Sequence, residues 1–402
     1  MSRILLGVAG GIAAYKACQL VRLFAKAGHE VRVVPTENAL QFVGKATWEA
    51  LSGHPVHASV FEDIPSVPHV HLGTQADLIV VAPATADLLA RAAGGRADDL
   101  LTNVLLMAAC PVVLAPAMHT QMWIHAATRH SVELLRSRGA VVIEPAAGRL
   151  AGSDSGPGRM PEPEDIAATA FALLQDPGLA ASCGSLDLSG KRVIVSAGGT
   201  REAIDPVRFL ANSSSGKMGV SLARAAKIRG ADVTLIGANL QVEIPAGVEH
   251  VAVRSTAELA DAAFSLAGMA DVVIMAAAVA DFTPSATADS KIKKNGSKGL
   301  CLELVQTTDV LRELSANRPP GQIIVGFAAE TASSEDELVE LGTAKLTRKG
   351  CQLLVVNDVG GGKTFGSDSN SVWILGAEGV LNRVSSSKDV VAHRILDALK
   401  EV

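Results

Sequence analysis

Between Lys191 and Gly219 the chain reads KRVIVSAGGTREAIDPVRFLANSSSGKMG: a β-branched run (Arg192 to Ser196) stopped by Gly198-Gly199, then a loop, then serines and Gly-Lys-Met-Gly at a helix start. A strand, a glycine turn and a helix start aim backbone N–H groups and a helix dipole at one spot, which is how α/β proteins hold phosphates. A Walker loop is excluded, since it needs Gly where Ala211 stands and Ser or Thr where Met218 stands. Other residues carry chemistry less plainly. His69 and His71 share a face if HVHLG is extended, and nothing local separates a general base from a metal pair. Pro83-Ala84-Thr85-Ala86-Asp87 stands at the carboxyl end of an apolar run, where ligands lie in open α/β sheets. Thr36 ends another such run, either as a phosphate ligand or as a helix N-cap. Lys291 in KIKK reads as a solvated loop cation, Asn212 as a cap or turn residue, and Asp281 as a loop carboxylate.

The elements that must position these residues follow a regular grammar. Ile4 to Val8, Ala9-Gly10-Gly11, a helical pattern ended by Gly28, and Val31 to Val34 make a βαβ opening, so a parallel doubly wound sheet is expected. A dinucleotide fingerprint is missing, because Gly7-Val8-Ala9-Gly10-Gly11-Ile12 is not G-x-G-x-x-G and Pro35-Thr36 replaces the acidic residue that would bind a ribose. A hydroxyl there suits a phosphate, which favours a mononucleotide such as FMN over NAD. Further strands are expected near Pro111 to Ala115 and Ala140 to Ile143, with a glycine-rich flap over Gly148 to Met160 and a helix from Pro163 to Leu174. PAMHTQMW is too rich in proline and methionine for plain helix.

DPGLAASCGSLDLSG is the best linker candidate, giving domains at 1–176 and 191–402 joined by 177–190. After it the grammar restarts: KRVIVSAGG echoes SRILLGVAGG, and AKIRGADVTLIG echoes AKAGHEVRVV. The second half continues through DVVIMAAAVADFTP, QIIVGFAAET, a helix ending near Lys349, LLVVNDV and a closing pair SVWILG and GVLNRVS. The 402 residues suffice for two cores, and a net charge of -5 gives no general affinity for nucleic acid or anionic membrane. Five widely spaced cysteines signal neither a disulfide framework nor a zinc site, so a reducing, cytoplasmic setting is expected. The apolar N-terminus fits strand-turn-helix better than a signal peptide, and no apolar run approaches the ~18 residues of a membrane span.

The motifs GGIAAYK, HVHLG, PATAD, PAMHTQMW and GPGRM resemble the flavin-containing cysteine decarboxylases. TREAIDPVRFLANSSSGKMG, AAAVADF, KIKK, GFAAET and NDV resemble phosphopantothenoylcysteine synthetase. In this order, over nearly the whole chain, they resemble the bifunctional phosphopantothenoylcysteine decarboxylase/phosphopantothenate–cysteine ligases of bacterial coenzyme A biosynthesis. The resemblance implies a flavodoxin-like first domain, a Rossmann-like second domain and two reactions. Phosphopantothenate is activated by CTP with Mg2+ as an acyl-cytidylate, and the cysteine amine displaces CMP. The thiol is then oxidised to a thioaldehyde with FMN, which creates the electron sink for loss of CO2, and the ene-thiolate is reduced back.

The resemblance also places residues. His69 falls on the catalytic base. Gly10, Gly11, Ile12, Ala13, Thr36, Pro83, Ala84, Thr85 and Met118 fall at the FMN site. Ala277, Asp281, Lys291, Thr308, Asp309, Val310, Leu311, Phe327, Lys345 and Lys349 fall at the CTP site, with Lys291 stabilising charge in the activation step and Asn212 orienting the cytidylate. Lys345 and Lys349, one helical turn apart, are expected to face the same anions. Arg208, Asn212, Asp154, Arg159 and Met160 are the substrate candidates; the metal ligands stay open. Two departures stand out. His119 replaces a common Asn, and Gly152-Ser153-Asp154 lacks the flap Cys linked to the final reduction, which leaves His119 or a water held by Asp154 or Ser155 as the proton source. The family implies homo-oligomers, with trimers of the first domain and dimers of the second, up to a dodecamer. The rival readings are a two-domain flavin or NAD oxidoreductase, a non-enzymatic flavodoxin-like regulator, and a chain in which one half alone works.

Overall fold

The structure, a computed structural model, describes residues 1–62, 68–149, 154–293, 299–358 and 367–402. The chain divides into two compact units, Met1–Asp187 and Leu188–Val402.

In the first unit β1 (Arg3–Val8), β2 (Glu30–Pro35), β3 (Leu78–Ala84), β4 (Val112–Pro116) and β5 (Val141–Val142) form a parallel sheet. Their order is β2-β1-β3-β4-β5, the flavodoxin-like winding. β3 is buried along its whole length and β1 beyond its first residue, as expected of parallel strands covered on both faces by helices. The helices are α1 (Ala14–Lys26), α2 (Lys45–Ser52), α3 (Pro68–Gln75), α4 (Ala86–Ala93), α5 (Leu100–Leu106), α6 (Thr120–Ile124), α7 (Ala126–Ser137), α8 (Pro163–Gln175) and α9 (Leu179–Ser185). α1 shows the local logic: Ala14, Ala17, Leu20, Val21 and Phe24 form one buried stripe, and Gly28, in the left-handed region, ends the helix.

Four segments take a form in the structure that the sequence reading left open or described only in outline. HVHLG lies in helix α3, so His69 and His71, two residues apart, point about 200° from one another and do not share a face. PAMHTQMW contains the short helix α6, capped by His119. The glycine-rich stretch forms a hairpin, β6 (Ala146–Arg149) with β7 (Ser155–Arg159); Gly152 and Ser153 lie outside the described residues. Segment 177–190, read as a linker, carries α9, and the units divide at Asp187/Leu188.

In the second unit β8 (Arg192–Gly198) is followed by a small antiparallel pair, β9 (Arg201–Ala203) with β10 (Phe209–Ala211), where sequence suggested plain loop. The remaining strands are β11 (Asp232–Ala238), β12 (Glu249–Val253), β13 (Val272–Met275), β14 (Phe282–Pro284), β15 (Leu304–Gln306), β16 (Ile323–Glu330), β17 (Leu353–Asp358), β18 (Ser369–Gly376) and β19 (Gly379–Ser387). The main sheet runs β12-β11-β8-β13-β16-β17-β18-β19. Its strands are parallel through β17 and end in the antiparallel β18–β19 hairpin. The parallel part has the Rossmann winding, with the first strand, β8, inside and the chain reversing direction beside it. The helices are α10 (Lys217–Ile228), α11 (Thr256–Ala267), α12 (Val310–Ala316), α13 (Glu335–Lys349) and α14 (Lys388–Asp397). Gly198 ends β8 at φ +88°, where a Cβ would stand 1.9 Å from the Ala238 carbonyl oxygen, so no other residue fits. Among the described residues no helix is long and apolar enough to cross a membrane.

Candidate active sites

In the first unit a cavity of about 1350 Å3 opens at the carboxyl ends of β1 to β4, at the switch point between β1 and β3 where such sheets bind ligands. Gly10, Gly11, Ile12, Ala13, Thr36, Thr85 and Met118 line it, while Pro83 and Ala84 are buried at the end of β3 and do not line it. The Pro83 carbonyl accepts the Ala9 N–H at 3.1 Å and that of Ala84 accepts the Ala117 N–H at 3.1 Å, which ties the loops after β1 and β4 to β3. Thr36 is buried, and its hydroxyl accepts the Ala39 N–H at 3.2 Å, so it caps a turn and stands on the wall. Thr85 caps α4 through the Leu88 N–H at 3.3 Å. A Cβ on Gly10 would lie 2.4 Å from Asn38 Cβ, so the loops after β1 and β2 touch only because Gly10 lacks a side chain. Gly10→Ala is therefore expected to cost about 1–3 kcal/mol by overpacking and to lower flavin content, checked by thermal unfolding and by visible absorbance of the purified protein.

At the opposite wall His119 sits at the N-cap of α6. Its Nδ1 accepts the Gln121 N–H at 3.4 Å, and Nε2 stands 3.0 Å from Asp154 Oδ2. The acceptor role of Nδ1 puts the proton on Nε2, facing the Asp154 carboxylate. Arg159 and Met160 also line the cavity. Glu162 binds Lys16 Nζ through both oxygens at 2.8 Å and Arg159 at 3.2 Å, which ties hairpin β6–β7 to α1. Arg91 binds Asp87, Asp98 and Asp99 at 2.9, 2.8 and 2.7 Å. Burial works against its charge, but Asp99 and Asp98 more than restore it, and its pKa is raised. Sequence reasoning did not single out Lys16 or Arg91; the Asp87–Arg91 spacing of four on a helix was the available signal. His69 does not line this cavity. Its Nδ1 is buried with no hydrogen-bond partner among the described residues, and His71 is exposed beside Gln75.

In the second unit a cavity of about 960 Å3 lies over the carboxyl ends of β13, β16 and β17. It gathers Asn212, Ala277, Asp281, Thr308, Asp309, Val310, Leu311, Phe327, Lys345 and Lys349 from separate strands, loops and helices. Asn212 Nδ2 donates to the Val279 carbonyl at 3.0 Å, and the Ala277 N–H donates to Ser196 Oγ at 3.1 Å. Lys345 and Lys349, expected to face anions, are each held by a carboxylate: Lys345 by Glu330 at 2.7 Å and Lys349 by Asp309 at 2.6 Å. Burial pushes the Asp309 carboxyl up, but the Lys349 ammonium and the Arg312 N–H outweigh it, and its pKa is lowered.

Arg208 and Lys291 do not line this cavity. Arg208 binds Asp205 at 3.2 Å and the Ile292 carbonyl at 3.2 Å, beside Lys291. Asp205 is the organiser there. Its buried carboxylate accepts N–H groups of Val207 and Arg208 at 2.8 Å and of Ile292 at 3.1 Å; burial alone would raise its pKa, yet these donors hold it below the ordinary carboxylate value. Lys217 and Lys388, which sequence reasoning passed over, do line the cavity.

Comparison with known proteins agrees with this division. Residues 1–175 match the family described as flavoprotein, and residues 188–402 match the DNA/pantothenate metabolism flavoprotein C-terminal domain. The chain is 56% identical over 404 residues to the coenzyme A biosynthesis bifunctional protein CoaBC of Mycobacterium tuberculosis (strain ATCC 25618 / H37Rv), covering 99% of this chain and 96% of the relative. It is 44% identical over 380 residues to the protein of that name from Bacillus subtilis (strain 168), covering 94% and 91%. A crystal structure of the C-terminal domain of such a protein is 34% identical, with a TM-score of 0.45, and covers 54% of this chain and 97% of that one. On the family matches and the full-length identities, the chain belongs to the family of bifunctional coenzyme A biosynthesis proteins and is a flavin enzyme with phosphopantothenoylcysteine decarboxylase and phosphopantothenate–cysteine ligase activities.

Proposed function

We propose that the second unit couples phosphopantothenate to cysteine through an acyl-cytidylate formed from CTP with Mg2+, and that the first unit decarboxylates the product on FMN. The observation that carries this reading is the gathering of the nucleotide-site residues, scattered from Asn212 to Lys349, around one cavity at the carboxyl end of a Rossmann-ordered sheet.

The first cavity fits FMN. It lies at the switch point, Gly10 lets the loops after β1 and β2 close together on its wall, and the N-terminal turn of α1 begins at its edge. Gly10 to Ala13 and the α1 terminus would hold the phosphate, with Thr36, Thr85 and Met118 shaping the walls. The flavin supplies reversible two-electron oxidation of the cysteinyl thiol, which makes loss of CO2 feasible. The chain's own part is to hold the substrate with Arg159 and Met160, to accept a proton at His69 and to return one at the His119 and Asp154 wall. His119→Ala is expected to stall the reaction or release an oxidised aminoenethiol, read by mass spectrometry; a normal phosphopantetheine yield would remove His119 from the mechanism.

In the second cavity Asn212 orients the cytidylate for attack by the cysteine amine, and Lys291 stabilises charge as the carboxylate meets the triphosphate. Among the described residues no three His, Cys, Asp or Glu side chains form a metal-binding group. Magnesium is accordingly read as carried by the nucleotide phosphates, in keeping with its habit of binding through few protein groups.

Both sites are completed by other copies of the chain. His69 stands outside the cavity of its own chain, and Ile12 and Tyr15 at that cavity's rim are 67% and 62% exposed. Lys291 and Arg208 stand outside the second cavity, near the exposed apolar residues Val207 and Phe209. Trimers of the first unit and dimers of the second, combining into a dodecamer, satisfy both.

The test is mass spectrometry of products from phosphopantothenate, cysteine, CTP and Mg2+. Phosphopantetheine with CMP and pyrophosphate is expected. Phosphopantothenoylcysteine alone would mean an inactive first unit, and absence of CMP would sink the ligase assignment.

A further inference from the structure

Asp205 lies in the turn between β9 and β10, and its side chain is fully buried. The two carboxylate oxygens face different parts of the chain. Oδ1 accepts the Val207 and Arg208 N–H groups, both at 2.8 Å, and closes the local turn. Oδ2 accepts the Ile292 N–H at 3.1 Å and stands 3.2 Å from Arg208 Nη1. Arg208 Nη2 in turn donates to the Ile292 carbonyl at 3.2 Å. One carboxylate and one guanidinium therefore hold both backbone polar groups of Ile292, the residue that follows Lys291.

The turn by itself does not require this arrangement. It needs one acceptor oxygen, which an asparagine would supply without burying a charge. The charge of Asp205 is matched because its second oxygen meets donors as well, and one of these comes from a backbone 87 residues away. The chain before Ile292 is fastened to the same loop. The Thr287 hydroxyl donates to the Ala203 carbonyl at 3.1 Å, and the Ala288 N–H donates to the Ile204 carbonyl at 3.0 Å. Between the two fastenings Asp289, Ser290 and Lys291 are exposed. Lys291 does not line the cavity of its own chain, so the reach of its ammonium depends on where this backbone is held.

We infer that Asp205 is a positioning residue for the activation step: through Ile292 it fixes the place from which Lys291 meets the charge that develops between carboxylate and triphosphate. The inference rests on the role proposed above for Lys291 and adds the buried group that keeps this cation preorganised. Asp205 itself touches no substrate in this reading, and its effect passes through the backbone of a segment remote in sequence.

The test compares the full-length enzyme with its Asp205→Asn, Lys291→Gln and doubly substituted variants. Asparagine keeps Oδ1 for the turn and puts an amide donor where Oδ2 met the Ile292 N–H and Arg208. In Asp205→Asn the kcat for CMP release is expected to fall by up to ~10²-fold, the scale of a small misplacement, with KM for CTP within about twofold. The double variant should match Lys291→Gln alone, because residues that act as a unit are not additive. Losses that multiply, or an unchanged kcat in Asp205→Asn, would overturn the inference. Limited trypsin digestion reads the segment independently of activity. Cleavage after Lys291 and Lys293 should be at least ~10-fold faster in Asp205→Asn, the scale of one lost charge-assisted contact, and equal cleavage would overturn the inference. Wild-type CMP release from Lys291→Gln would instead overturn the reading of Lys291 itself, whatever the cleavage shows. Should Asp205→Asn not fold, hydrogen exchange of the wild type decides: an Ile292 N–H exchanging at least ~10-fold more slowly than an unstructured amide supports the inference, and one exchanging as fast overturns it.

Discussion

Replacing His69 by Asn is expected to abolish decarboxylation while ligation continues, so that phosphopantothenoylcysteine accumulates at the wild-type rate of CMP release. A positioned general base contributes about 10²–10⁴-fold, and His69, proposed above as the acceptor of the thiol proton, should show the upper part of that range. The structure makes the expectation selective. His71 projects from a different face of α3 and contacts Gln75, so His71→Ala should decarboxylate close to normally. A His69 variant that retained full activity, or a His71 variant that lost it, would reverse the assignment. His69 also lies outside the flavin cavity of its own chain with a buried, unpartnered Nδ1 among the described residues. The same loss should accordingly accompany any change that dissociates the first units from one another while leaving them folded.

The second large effect is expected at Lys291. Removing one preorganised stabiliser of transition-state charge costs about 10²–10³-fold in turnover, and Lys291→Gln should reduce CMP release on that scale with little change in decarboxylation of supplied phosphopantothenoylcysteine. Lys291 and Asn212 belong to different places in one chain: Asn212 on the cavity wall, Lys291 beside the Asp205–Arg208 network. If a second copy supplies Lys291, mixing Lys291→Gln chains with Asn212→Ala chains should restore activity. Random pairing makes half the dimers mixed, each with one intact site of two, for recovery near about a quarter of the wild-type rate. No recovery after verified subunit exchange would show that Lys291 serves the cavity of its own chain.

These two cases mark where sequence reading succeeds and where it stops. Among the wall residues, Ala277, Asp281, Thr308 to Leu311 and Phe327 were placed by the family resemblance alone, whereas Gly10, Gly11 and Thr85 were legible because each follows an apolar run. Local spacing fixes their backbone geometry, and parallel α/β topology then sends every strand's carboxyl end to the same edge. Thr36 was legible as one of two things, and in the structure its hydroxyl accepts the Ala39 N–H while the residue also lines the cavity. The conformation of HVHLG stayed open in the sequence because a short segment without periodicity offers no signal, and it is the packing of α3 against α5 that makes it helical.

Charge pairing was the least legible feature. Lys345 and Lys349 occupy one helical turn, as spacing requires, but their partners Glu330 and Asp309 arrive from β16 and from the cap of α12. His119 met Asp154 only through the return of hairpin β6–β7. Lys388 came to Lys217 only because the closing hairpin β18–β19 delivers α14 against α10.

By itself, then, the sequence determined two doubly wound units, the edge of each sheet that holds its site, and the residue types that line it, because strand alternation, glycine turns and helix starts are local properties of the chain. The tertiary structure alone decided which carboxylate each lysine meets, which histidine stands outside its own cavity, and which loops touch. Each of these depends on a contact between segments remote in sequence, and Coulomb and steric forces act on distance in space rather than along the chain.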